Sequence, residues 1–177
     1  MRQALMAADH ERRFGGVARL YGPAAAERLK QASICVVGVG GVGSWTLEAL
    51  ARTGIGQLAA VDLDMVAESN TNRQIHALGD IYGKAKVDAM AERILAINPH
   101  CEVTCIEDFV TPENVAETLR PHFDVVISSA RGVMEALATG VIALCGGNEY
   151  AGPVDIASLV ADFVAELQAA WTRRGST

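Results

Sequence analysis

Gly38, Gly40 and Gly43 stand in the spacing G-x-G-x-x-G, with Gly41 inside the run and Ser44 directly after it. Glycines so placed permit a tight turn and let the backbone approach a phosphate, which then rests against the positive end of the following helix. Asp62 follows nineteen residues after Gly43, where an acid usually accepts the hydroxyls of a ribose. Asp64, Asn70, Arg73, Gln74 and Lys86 come next. Arg73 offers a planar fork of donors and Lys86 a point charge, so the pair can neutralise a triphosphate. The chemistry this set suits is nucleotide binding with stabilisation of phosphate charge. The glycine turn alone serves dinucleotides as well as ATP, and an NAD-linked oxidoreductase remains a reading of it. Two cations aimed at a γ-phosphate would have no use in such an enzyme.

The surrounding pattern supplies the elements that must hold these residues. Ile34–Val37 reads as a strand entering the glycine turn, and Val42–Arg52 as the helix leaving it, with Gly54 placed to end that helix. Gln57–Val61 reads as a second strand running into Asp62. Residues 65–83 form a long polar loop, of the kind that is functional or disordered in a compact domain. Lys84–Asn98 carries Val87, Met90, Ile94 and Ile97 at helical spacing, and Pro99 stops it. Glu102–Ile106 is a third strand. Thr111-Pro112 opens a helix to about Leu119, and the apolar run Phe123–Ile127 reads as a buried parallel strand. Strands alternating with helices predict an α/β, Rossmann-like, doubly wound and mainly parallel sheet with helices on both faces. Ahead of it, residues 8–31 read as helical, broken at Gly22-Pro23. After Ile127 the pattern loosens: residues 133–144 suit either helix or strand, 145–148 a turn, and Asp155–Trp171 an amphipathic helix that would cover the core, lie in a dimer interface or touch a membrane surface, the first being favoured. The expected division is an N-terminal helical segment 1–31, a nucleotide-binding unit 32–130, and a C-terminal helical region 131–177 of the same domain.

The 177 residues suffice for one domain with a sizeable core, and half of them are hydrophobic. No apolar run is long enough to span a membrane, and the charged N-terminus does not read as a secretory signal. Cys35, Cys101, Cys105 and Cys145 contain no C-x-x-C pair, so no metal-ligand set is picked out. A buried Cys35 thiol in a core strand, and a reduced cytoplasmic protein, are the expectations. Net charge is −6, which argues against nonspecific nucleic-acid affinity. Residues 1–31 are nonetheless basic, with six Lys/Arg against three Asp/Glu; they could touch a phosphate or form a solvated helical face.

Residues 13–127 resemble the ThiF/MoeB superfamily of ubiquitin-activating-enzyme-like adenylating enzymes, and within it the tRNA threonylcarbamoyladenosine dehydratase family. The likeness rests on Arg13–Gly22 (RFGGVARLYG), Gly38–Trp45, Asp62–Asp64, Ser69–Ala77 (SNTNRQIHA) and Glu107-Asp108-Phe109. The resemblance implies ATP-dependent adenylation of the threonine carboxylate of the modified adenosine in tRNA. The urea-like oxygen then closes on the activated carboxylate and expels AMP. It implies ATP with Mg2+, a homodimer, tRNA as substrate and a sulfur-transfer partner protein. By carry-over the glycine turn and Ser44 would hold phosphates, Asp62 the ribose, and Asn70, Arg73 and Lys86 the polyphosphate. Asp64 and Gln74 join the same set, and Arg13 would reach across a dimer to the partner's ATP. The chain departs from the pattern at one place. Where the superfamily has an Asp-Ala-x-Asp type motif whose last acid holds Mg2+, a gapless alignment puts Ser128-Ser129-Ala130-Arg131. Arg131 reverses that charge, and Asp124 stands at the wrong end of the strand to replace it. Two readings follow within the family: an active enzyme, and an ATP-binding protein impaired in turnover.

Overall fold

A computed structural model describes residues 9–111, 113–119 and 123–128. The readings placed on residues 129–177, including Arg131 and the helix Asp155–Trp171, lie outside the described residues.

The chain opens with α1 (His10–Tyr21), whose first amides are capped by Asp9 Oδ1, accepting from Glu11 N at 3.0 Å and Arg12 N at 3.3 Å. Gly22 ends it, and Pro23 starts α2 (Pro23–Gln31), where its missing N–H costs nothing. Then follow β1 (Ser33–Val37), α3 (Gly43–Thr53), β2 (Gln57–Val61), a 3₁₀ turn (Glu68–Asn70), α4 (Lys86–Ile97), β3 (Glu102–Ile106), α5 (Val115–Thr118) and β4 (Val125–Ser128). All strand pairs are parallel, in the order β3-β2-β1-β4, with Val37 beside both Val61 and Ser128. The central strand β1 is therefore flanked by one strand that follows it directly and one that comes last. This reversal of winding leaves a crevice at the strands' carboxyl ends.

Alternation along β1 divides the core between the two faces. Ile34 and Val36 join Leu47, Ala51, Val87, Met90 and Ile94 of α3 and α4 on one side. Cys35 and Val37 join Val115, Leu119 and Phe123 on the other. Each fully buried Val, Leu or Ile contributes about 1.5–3 kcal/mol of apolar burial. Desolvation pushes the Cys35 thiol up to about 12, as expected of a core thiol. Gly56 lies so close under α2 that a Cβ there would sit 1.8 Å from the Lys30 carbonyl oxygen. Only glycine lets the amino edge of the sheet meet that helix.

Several element bounds differ from expectation for local reasons. The helix expected from Lys84 begins at Lys86, because Val66 N–H donates to Lys84 O at 2.8 Å and Met65 bridges Ala85 antiparallel. Those contacts hold 84–85 extended. The strand expected from Phe123 starts at Val125; Asp124 caps the edge instead, taking Ser33 N–H at 2.8 Å. That contact fixes Asp124 at the amino end of the sheet. The helix after Thr111 is regular only over Val115–Thr118, while Thr111 Oγ1 accepts Asn114 N–H ahead of it at 3.4 Å. The loop 65–83 is neither open nor shapeless. Val66 and Ala77 are buried with Ala89 of α4, and Ile81 and Tyr82 pack against them.

Candidate functional site

The glycine turn is formed by the sheet itself. Gly38 takes φ 87°, which an L side chain would strain, and its N–H donates to Val61 O at 2.8 Å. The turn is thereby tied to the end of β2. The next amide, Val39 N–H, donates to Asp62 Oδ2 at 2.6 Å, while Asp62 Oδ1 accepts Asp64 N–H at 2.9 Å. Asp62 thus braces the turn with one oxygen and the exit of β2 with the other. The carboxylate expected to accept ribose hydroxyls is thus bonded to two backbone amides of its own site.

Facing the turn is Lys86, the first residue of α4. Its ammonium donates to Asp64 Oδ2 at 2.6 Å and lies 3.8 Å from Asp62 Oδ1. Only 6% of its side chain is exposed. A buried ammonium needs such partners, because desolvating an unpaired charge is far costlier than one hydrogen bond returns. Arg73 approaches from the other side. Its stem passes over Gly41, where an added Cβ would sit 3.4 Å from Arg73 Cδ and Cγ. The guanidinium donates from Nη1 to Ser69 O and Asn72 Oδ1, both at 2.9 Å. Trp45 Nε1 donates to the Arg73 carbonyl at 3.0 Å and pins this segment to α3.

Gly40 faces open space, and no side chain caps the first amides of α3. The leading N–H groups of an eleven-residue helix therefore stand beside two cations, an arrangement that suits a phosphate. The geometry brings together Gly38, Gly40, Gly41, Gly43, Asp62, Asp64, Arg73 and Lys86.

Four expected residues sit differently. Ser44 is fully buried, and its Oγ accepts Ile75 N–H at 3.4 Å, locking the 70–77 segment to α3. Asn70 Oδ1 accepts Ala67 N–H at 3.0 Å, so this oxygen shapes the 3₁₀ turn. Gln74 is buried with Oε1 unpartnered. That atom is an acceptor and has nothing to offer a phosphate oxygen. Arg13 donates to Ala96 O at 3.2 Å and Ile97 O at 2.6 Å, at the carboxyl end of α4. Within this chain it complements the helix end, at the edge of the sheet opposite the glycine turn.

His76, inside the Ser69–Ala77 segment of the loop that reads as polar, is a residue whose placement its own type does not signal. It is 3% exposed, with neither ring nitrogen hydrogen-bonded. Burial and the nearby Lys86 charge hold its pKa down to about 4; Asp62 opposes this and Arg93 adds to it. The apolar residues on either side of it, Ile75 and Ala77, were the available sign that this part of the loop is docked.

A parallel sheet wound in both directions, with a glycine turn entering a helix at its carboxyl edge, defines a Rossmann-like α/β fold. The family model described as ThiF family matches residues 13–130. The chain belongs to the ThiF family. It is 54% identical over 137 residues to the tRNA threonylcarbamoyladenosine dehydratase of Escherichia coli, a match covering 77% of this chain and 50% of that one. It is 46% identical over 141 residues to the Haemophilus influenzae protein of the same name, covering 80% and 53%. The solved structure of the E. coli dehydratase, TcdA, in complex with ATP matches with a TM-score of 0.70 and 55% identity, covering 72% of this chain and 53% of that one. The same enzyme has also been solved in complex with AMP. The chain spans about half the length of the curated relatives it matches.

Proposed function

We propose that this chain binds ATP at the glycine turn and works as an ATP-dependent tRNA threonylcarbamoyladenosine dehydratase. The observation that carries this reading is the buried Lys86 ammonium beside Asp62 and Asp64, set against a glycine turn that Arg73 crosses. ATP supplies the adenylyl group that makes the threonine carboxylate a mixed anhydride, so that the urea-like oxygen can close the ring and expel AMP. The amides of the glycine turn and of the α3 start receive phosphate oxygens. Lys86 and Arg73 stabilise the charge that grows on departing pyrophosphate. Asp62 keeps the turn in shape, and Asp64 holds the ammonium until an anionic group competes for it. Homodimer formation, Mg2+ accompanying ATP, a sulfur-transfer partner protein and a cytoplasmic setting belong to the same reading. No helix among the described residues is long and apolar enough to cross a membrane.

Arg131, where the superfamily places an acid, favours a second reading: ATP binding with impaired turnover. One experiment separates the two. The chain is incubated with ATP, Mg2+ and tRNA bearing threonylcarbamoyladenosine, and the digested nucleosides are weighed by mass spectrometry. Loss of one water from the nucleoside, with matching AMP release, supports the dehydratase. ATP binding with neither product supports the impaired protein and removes the first reading.

A further inference from the structure

Trp45 ties one cation of the site to the helix that follows the glycine turn. It is the third residue of α3, and its indole Nε1–H donates to the Arg73 carbonyl oxygen at 3.0 Å. The Arg73 N–H donates in turn to Asn70 O at 3.1 Å. Both main-chain groups of Arg73 are therefore engaged, one inside its own loop and one across to α3. The side chain bonds within the loop, to Ser69 O and Asn72 Oδ1, while its stem crosses Gly41. Among the described residues, α3 side chains bond this loop at two points. Ser44 Oγ accepts Ile75 N–H at 3.4 Å; the indole bond is shorter and lands on the arginine itself.

Burial does not account for the tryptophan. It is 54% exposed, so it forgoes much of the apolar burial for which a core uses this residue. An indole has two rotatable bonds and one N–H, which makes it a stiff strut between α3 and the loop. Arg73 is exposed, and a long side chain on an unanchored loop would have to be ordered on binding, a cost that opposes affinity.

We propose that Trp45 is a positioning residue for Arg73: by holding the Arg73 carbonyl to α3, it fixes the root of the guanidinium beside the start of that helix. This rests on the reading that the glycine turn binds a nucleotide polyphosphate. The arginine then meets the phosphates beyond the first without the loop having to be ordered anew. Trp45 touches no ligand in this account and acts through Arg73.

Calorimetry with ATP and with AMP on the wild type, Trp45→Phe, Arg73→Ala and the double variant separates this from a merely structural role. Phe keeps an aromatic ring and loses the N–H. Trp45→Phe should weaken ATP about fivefold, the size of one neutral hydrogen bond, and leave AMP nearly unchanged. On Arg73→Ala the same substitution should cost nothing further, since no guanidinium is left to place. A second readout uses the wild type itself, so it stands even where a variant folds poorly. The chain has two tryptophans, and the Trp45 indole ¹⁵N–H signal is the one missing from Trp45→Phe. ATP should shift that signal more than AMP does, and in Arg73→Ala the two nucleotides should act alike. Unchanged ATP affinity in Trp45→Phe, equal losses for ATP and AMP, a full further loss on Arg73→Ala, or an indole signal that ATP leaves in place each overturn the proposal. In those outcomes the wild type still binds ATP. A wild type that binds neither nucleotide overturns the nucleotide reading, and this proposal with it.

Discussion

The carboxylate of Asp62 accepts the Val39 amide at 2.6 Å, so the acid that ends the second strand is also the brace of the glycine turn. The same group stands 3.8 Å from Lys86, which links the shape of the turn to the position of its cation. Binding and local stability therefore share residues here, and substitutions should separate them in definite ways.

Asp62→Ala removes the acceptor of two backbone amides and one of the two carboxylates at Lys86. Leaving those amides without partners should destabilise the chain by about 1–3 kcal/mol and abolish the gain in melting temperature on adding ATP. Asp62→Asn keeps one acceptor oxygen for Val39 and should recover much of the stability. Thermal unfolding with and without ATP reads both effects.

Gly41→Ala tests the cradle beneath Arg73. The added methyl would stand 3.4 Å from the Arg73 stem, so the flexible side chain must give way. Folding stability should change by less than about 1 kcal/mol, since an exposed long side chain can shift. ATP affinity should nonetheless fall, and Gly41→Ala combined with Arg73→Ala should be no weaker than Arg73→Ala alone.

Glu48 joins α3 to α4 through Arg93, whose Nε lies 2.5 Å from Oε2, and pairs within α3 with Arg52 one turn on. Burial pushes its pKa upward, but the hydrogen bonds and charges of Arg93 and Arg52 outweigh this and lower it. A carboxyl with a lowered folded pKa contributes stability above its ordinary value, and that contribution is lost as pH falls through the folded value. Unfolding in urea below about pH 4.5, the ordinary value for this group, should show a steeper acid loss in the wild type than in Glu48→Gln. At neutral pH Glu48→Ala should cost about 1–3 kcal/mol.

His76 adds an acid sensitivity at higher pH. Its folded pKa near 4 lies below the ordinary 6.5, so between these values the unfolded chain takes a proton that the folded chain refuses. Stability should fall as pH drops through this window, at up to about 1.4 kcal/mol per pH unit. His76→Gln should remove that slope while leaving the loss due to Glu48 at lower pH. Urea titrations at pH 7, 6 and 5 read the difference directly.

Much of this was legible in the sequence because it follows from short-range pattern. The apolar runs around Cys35 and Ala59 and the helical spacing of Val87, Met90 and Ile94 specify a parallel sheet covered on both faces. Residue type and spacing also gathered Asp62, Arg73 and Lys86 correctly at one edge. What stayed hidden depends on direction and on packing at a distance. Nothing local says that Ser44 turns inward to Ile75, or that Asn70 shapes its own turn. Arg13 meets Ala96 and Ile97 only because α1 docks against the carboxyl ends of α3 and α4. His76 reads as loop polarity until Ala77 is seen buried against Ala89.

The central claim is that the glycine turn with Lys86 and Arg73 forms a site for ATP. Isothermal calorimetry with ATP and with NADH, on the wild type and on Lys86→Ala, tests it most directly. The account predicts ATP binding by the wild type, a loss of at least about tenfold in Lys86→Ala, and no comparable affinity for NADH. NADH binding in preference to ATP, or ATP affinity untouched by Lys86→Ala, would contradict it.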